Sequence, residues 1–154
     1  MEQILRFFIL FVCLIFVIGC SGGTNAIHTD KVEGTITFEG QPLAGATVNF
    51  SPATAGQGEP SYAQTDENGH YKLQTLLGKP DAGTIPGDYI VTVLKTESVP
   101  TGKQEKGPDM QMYDVVKSQS VIPESYGDKA KSPFKAAVVS GKNQFDFALK
   151  KDGT

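Results

Sequence analysis

Val32-Glu-Gly-Thr-Ile-Thr-Phe-Glu-Gly-Gln-Pro-Leu-Ala-Gly-Ala-Thr-Val-Asn-Phe50 is the stretch on which the fold turns. Val32, Gly34, Ile36 and Phe38 fall to one side of an extended chain and Glu33, Thr35 and Thr37 to the other, the two-residue period of a half-buried strand. Glu39-Gly40-Gln41-Pro42 interrupts the run with turn residues, and a second strand follows with Ala46, Val48 and Phe50 inward and Thr47, Asn49 and Ser51 outward.

The same alternation recurs downstream. Ser51 to Pro60 is a loop rich in Pro and Gly; Tyr62 to Thr65 and Tyr71 with Leu73 flank Asp66-Glu67-Asn68-Gly69 and are expected to form a hairpin. Ile85-Pro86-Gly87-Asp88 has the residues of a type II turn before the β-branched run Tyr89 to Lys95. Residues 96–120 carry charges and two prolines; Met112, Val115 and Val116 are spaced to share a helical face, and the segment is read as a long surface loop. Ala136 to Val139 and Asn143 to Leu149 are expected as a closing hairpin around Ser140-Gly141-Lys142, with Phe145, Phe147 and Leu149 inward. About seven short strands without a long amphipathic helix predict an all-β sandwich.

The chain of 154 residues starts differently. A short polar start containing Glu2 and Arg6 precedes Phe7 to Ile18, an apolar run too short to cross a bilayer of about 30 Å as a helix but suited to a signal peptide. It ends in Val17-Ile18-Gly19-Cys20, which resembles the lipobox of bacterial lipoproteins. That resemblance implies cleavage after residue 19, a diacylglyceryl group on the Cys20 thiol and acylation of the new terminus. Each buried methylene contributes about 0.8 kcal/mol, so two or three acyl chains of the palmitate kind give a durable anchor. The alternative is an ordinary secretory signal. The only other cysteine, Cys13, lies in the segment to be removed, so no disulfide is expected in the mature domain. The expected organisation is therefore a signal peptide over 1–19, a lipidated flexible tether over 20–31, the sandwich over 32–150 with its long loop at 96–120, and a polar tail over 151–154.

Arg6 is the only arginine, and the net charge is −3 both before and after Glu2 and Arg6 are removed. Neither arginine forks nor a positive balance is present to draw the mature chain to phosphate backbones, so nucleic acid is not an expected partner. The two histidines, His28 and His70, lie far apart, and no Gly-x-Ser-x-Gly elbow occurs. Asp66-Glu67-Asn68-Gly69 lacks the spaced ligands of a calcium loop. No catalytic residue, metal ligand or cofactor site is expected, and Cys20 is the single functional position assigned. Tyr62, Tyr113 and Tyr126 are the candidate platforms should the domain bind a glycan or other small ligand.

Beyond its alternation, Val32 to Phe50 resembles the opening of carboxypeptidase regulatory-like domains in the placing of Gly34, Gly40, Pro42, Leu43, Gly45, Ala46, Val48 and Phe50. Thr65-Asp-Glu-Asn-Gly-His-Tyr-Lys-Leu73 is similar to that family's second motif and Pro86-Gly-Asp-Tyr-Ile-Val-Thr-Val93 to its third. With the lipobox, Ile122 to Tyr126 and Gly141 to Phe147, the layout resembles short lipoproteins abundant in planctomycetes. The resemblance implies a transthyretin-like, prealbumin-type sandwich of seven strands and no particular activity. A purine-catabolising hydrolase shares that fold, but its histidines and Tyr-Arg-Gly-Ser terminus have no counterpart in a chain ending Lys151-Asp152-Gly153-Thr154. The expected role is a non-enzymatic envelope module that binds a membrane through Cys20 and an envelope protein or glycan through its surface, in an oligomeric state left open.

Overall fold

The computed structural model describes residues 28–75 and 82–153, an all-β arrangement with one 3-10 turn, Glu124–Gly127. The first sheet is built on β1 (Val32–Phe38), with β2 (Gln41–Pro42), β5 (His70–Lys72), β11 (Asn143–Gln144) and β12 (Phe147–Leu149) paired to it. The second has the order β10 (Lys135–Val138), β7 (Gly87–Leu94), β3 (Thr47–Pro52), β4 (Ser61–Gln64), β6 (Gln74–Thr75), every pair antiparallel. A separate two-stranded ribbon is made by β8 (Thr96–Lys106) and β9 (Met112–Ser120).

The alternation read in the sequence places the core. Val32, Ile36, Val48 and Phe50 are buried, while Glu33 points outward. Phe50 is fully buried, and its ring meets Tyr71, Phe145 and Phe147 across the gap between sheets and Tyr89 within its own sheet. These contacts join the two sheets into one sandwich-like core.

Register explains how β1 is held. β11 and β12 both run parallel to it with the same offset, Val32 opposite Asn143 and Phe38 opposite Leu149, so they act as one strand interrupted at Phe145 and Asp146. At the interruption Asp146 Oδ1 accepts the Thr35 N–H at 2.8 Å, standing in for a ladder carbonyl. The Phe145 carbonyl comes so close to Gly34 that a Cβ there would lie 1.8 Å from it.

Three expectations change. The 66–69 turn forms, with Asp66 Oδ1 accepting N–H groups of Asn68 and His70 at 2.9 Å and Gly69 at φ +74°. Its arms do not pair as a hairpin, because β4 joins β3 in one sheet and β5 joins β1 in the other. The closing hairpin is likewise a crossing: β10 pairs with β7, and β11 and β12 with β1. Alternation marks a buried face without saying which sheet it belongs to. The long loop of 96–120 is instead the ribbon β8–β9, whose residues are nearly all exposed. Solvent on both faces leaves no apolar period in its sequence, and the helical spacing of Met112, Val115 and Val116 corresponds to no helix. The two sheets hold ten short strand segments among the described residues.

Both ends of the assigned domain are also tied in. Asp30, assigned to the tether, is 7% exposed and pairs with Thr84 through two backbone hydrogen bonds of 2.8 and 3.0 Å. Lys151, assigned to the tail, donates its N–H to Glu39 Oε1 at 2.7 Å.

At the corner between β4 and the start of β3, backbone bonds from Thr65 to Ala46 and from Gly45 to Thr65 are joined by a buried hydroxyl. Buried Thr65 Oγ1 accepts the Ala46 N–H at 2.8 Å and donates to the Leu43 carbonyl at 2.6 Å. Thr65→Val keeps shape and branching but strands both partners. It is expected to cost about 2–3 kcal/mol, with Thr65→Ser close to wild type; equal urea midpoints for Val and Thr would contradict this.

Candidate functional site

Cys20 and the apolar run of residues 7–18, read as a signal peptide, lie outside the described residues. What the structure does place is the point where the N-terminal segment meets the sandwich. Asp30 Oδ1 accepts the Gly141 N–H at 2.7 Å, and Oδ2 lies 3.3 Å from Nε2 of exposed His28. Beside it, the hydroxyls of Ser61, Thr84 and Tyr89 form a buried chain that ends on the Ile85 and Glu59 carbonyls. These groups gather where β7 begins, Gly87 being paired with Val138.

The ribbon leaves at the other end of the same strand. Leu94 pairs with Thr47, and the Val121 N–H donated to the Lys95 carbonyl closes the ribbon's base. The 3-10 turn packs there, with Gly127 against Leu94 and with Tyr126 stacked on Phe134 at 5.3 Å and bonded through its hydroxyl to the Lys150 backbone. An eight-residue strand spans roughly 25 Å. Residues 28–31 and the base of the ribbon therefore lie at opposite poles of the sandwich.

Two open concavities lie on the surface. One, of about 680 Å³, runs over the outer face of the first sheet and is lined by Glu33, Thr35, Gln64, Asp66, His70 and Lys72, among others. His70 Nδ1 is 3.8 Å from Asp66 Oδ2, and both side chains are exposed, as expected from the position of His70 opposite Tyr71. Beneath this surface, burial first and the Asp146 carboxylate second push the Tyr71 hydroxyl well above the usual tyrosine range; it donates to the Phe145 carbonyl at 2.8 Å. The other concavity, about 460 Å³, sits at the base of the ribbon between Leu94, Ser118, Ser120 and Gly127. Among the described residues no group of three His, Cys, Asp or Glu side chains could hold a metal, and no helix is long and apolar enough to cross a membrane.

The three candidate tyrosines are not equivalent. Tyr126 is wholly buried and belongs to the core, which corrects its assignment as a ligand platform; Tyr62 and Tyr113 are exposed, on β4 and β9. The ribbon also exposes Met110, Met112 and Val116, each more than half accessible. Sequence reading placed Met112 and Val116 on a helical face within a surface loop and did not name Met110; the signal for a strand was the density of β-forming side chains from Met112 to Val116.

Residues 32–95 match the family model described as Domain of unknown function (DUF6795). No curated protein matches the chain. Among solved structures, the chain is similar to a 9R-lipoxygenase from Cyanothece PCC8801 (14% identity, TM-score 0.38, covering 80% of this chain and 16% of that one). It is also similar to a DUF3823 family protein from Parabacteroides merdae (11% identity, TM-score 0.34, 78% and 45%) and a chlorocatechol 1,2-dioxygenase from Pseudomonas putida (14% identity, TM-score 0.37, 83% and 62%). The chain thus spans less than two thirds of each of these proteins, and likenesses this slight carry no activity across. The first two strands and the β7 motif named in the sequence, up to residue 95, all fall within the stretch that matches a domain of unassigned role.

Proposed function

We propose that the chain is a bacterial envelope lipoprotein of the planctomycete type. Acyl chains on Cys20 hold it in a membrane, and a transthyretin-like sandwich of the carboxypeptidase regulatory-like kind displays the β8–β9 ribbon to protein partners without performing catalysis. The observation that carries this reading is the polarity of the domain: the N-terminal segment meets the sandwich beside Asp30 and Thr84, and the ribbon springs from the far end of β7. An anchor at the first pole leaves the second free to face away from the bilayer. Exposed Met112, Tyr113 and Val116 then supply apolar contact area where a partner would meet it.

The test combines anchoring with display. A photo-crosslinking residue at Val116 in intact cells should capture discrete partners, whereas the same residue at Lys72 on the first sheet should capture few. Cys20→Ser should release the protein from the membrane fraction, and the wild-type mass should exceed that of the cleaved chain by its acyl groups. Equal crosslinking at both positions would remove the display role; membrane retention of Cys20→Ser would remove the anchor.

A further inference from the structure

Among the described residues no strand pairs with either outer edge of the ribbon, and the two edges are built differently. β8 carries Pro100, a register irregularity between Pro100 and Gln104, and Gly102 at φ +75°. The Gly107 N–H donated to the Gln111 carbonyl and the Val121 N–H donated to the Lys95 carbonyl set the alternation: odd-numbered residues of β9 bond toward β8. Pro100 is opposite Val116, an even position, so the missing proline donor faces outward and blunts the edge of β8.

β9 has none of these devices. It runs nine residues, Met112 to Ser120, without proline, glycine or bulge, and the N–H and C=O groups of Met112, Asp114, Val116, Ser118 and Ser120 face outward, unpaired with any strand among the described residues. The other outer strands of the sandwich, β2, β5, β6, β10 and the interrupted β11–β12, are made of segments two to four residues long. A two-stranded ribbon exposed on both faces is marginal by itself, and a third strand would complete it.

We infer that the outer edge of β9 is a template for an extended segment of another protein, paired antiparallel, whose side chains run acidic, apolar, apolar, basic opposite Lys117, Val116, Val115 and Asp114. Directly opposed side chains share a face, so an acid beside Lys117 lies on one face of the widened sheet and a base beside Asp114 on the other. Asp114 Oδ1 accepts a bond from Gln104 at 2.9 Å, leaving its second oxygen for the partner's base. The chain's own Asp114-Val115-Val116-Lys117 has this order of side chains, yet a second copy cannot use it. Placing Asp114 of one β9 opposite Lys117 of the other would set an outward-bonding residue against one that bonds inward. A foreign strand has no such restriction. This inference rests on the display reading above and names the recognition chemistry of the same surface.

Full-length protein in detergent is titrated against two fluorescent nine-residue peptides, one centred on Glu-Val-Val-Lys and one on Lys-Val-Val-Glu. The first should bind at least tenfold tighter, and Asp114→Lys combined with Lys117→Asp should invert the preference. Val116→Pro, which removes an outward donor without touching the bonds to β8, should weaken binding at least tenfold with an unchanged melting curve. Equal affinity for the two peptides overturns the inference, as does unaltered binding to Val116→Pro, or a dimer in sedimentation that Val116→Pro abolishes. Should Val116→Pro not fold, the double charge exchange alters only exposed side chains and decides the matter. Peptide binding needs neither cell nor bilayer, so it can fail while the crosslinks at Val116 stand, or hold while the anchor fails.

Discussion

Phe50→Ala is expected to lower stability by about 3–5 kcal/mol, the range for emptying an aromatic site in a packed core. Phe50 is the ring that both sheets share: fully buried on β3, it meets Tyr71 of β5 and Phe145 and Phe147 of the interrupted β11–β12 strand at centroid distances of 6.1–6.4 Å, with Tyr89 beside it at 5.9 Å. Truncation leaves a void walled by four rings, three of which come from the opposite layer and cannot close on it without shifting a sheet. The melting temperature should fall by roughly 10–20 °C, measured by circular dichroism on the acylated or detergent-solubilised protein. Phe50→Leu, which keeps most of the volume, should lose less than half as much. A Phe50→Ala protein melting within a few degrees of wild type would mean that the two sheets are not held by this core.

Gly34→Ala is expected to cost about 3 kcal/mol or more although it adds a single methyl group. The new Cβ would stand 1.8 Å from the Phe145 carbonyl oxygen and 3.1 Å from the Tyr71 ring. The first of these is backbone, and it is fixed twice over, by the Phe145 N–H donated to the Glu33 carbonyl at 3.0 Å and by the Tyr71 hydroxyl at 2.8 Å. Relief would require β1 to part from the C-terminal strand. Overpacking of 1–3 kcal/mol is usual where side chains can yield; here the neighbour is main chain, so the upper end or beyond applies. Gly40→Ala serves as the comparison, because no atom lies within 4 Å of its added Cβ and only its positive φ resists substitution. If urea titration ranks Gly40→Ala as the more damaging of the two, the close approach of Phe145 to Gly34 is not real.

Which parts of this were legible beforehand follows from where water is. β1, β3 and β12 each have one face in the core and one in solvent, and their alternation wrote Ile36, Val48, Phe50 and Leu149 into the sequence as inward residues. The ribbon has water on both faces, so nothing obliged its side chains to alternate, and it read as a loop. Tyr126 is the converse case. It sits on a 3-10 turn in a stretch without periodicity, where burial depends on Phe134 and the Lys150 backbone arriving from elsewhere in the chain.

The candidate site divides along the same line. Cys20 was named from a short local pattern that adjacent residues carry by themselves. The edge of β9 could not be named that way, because an edge is defined by the absence of a neighbouring strand, and only the three-dimensional pairing says which strands lack one.

By itself the sequence determined that this is an all-β chain, which residues face inward on its principal strands, and where its turns fall, because each follows from two-residue periodicity and from the conformations that Gly, Pro and Asx residues favour. Only the tertiary structure decided which sheet each strand joins, that 66–69 and 139–143 are crossings between layers, and that residues 28–31 and the base of the ribbon lie at opposite poles. Those outcomes depend on contacts between residues as far apart as Gly34 and Phe145, whose mutual fit is a property of the folded core; a glycine inside a strand marks a close approach without naming its partner.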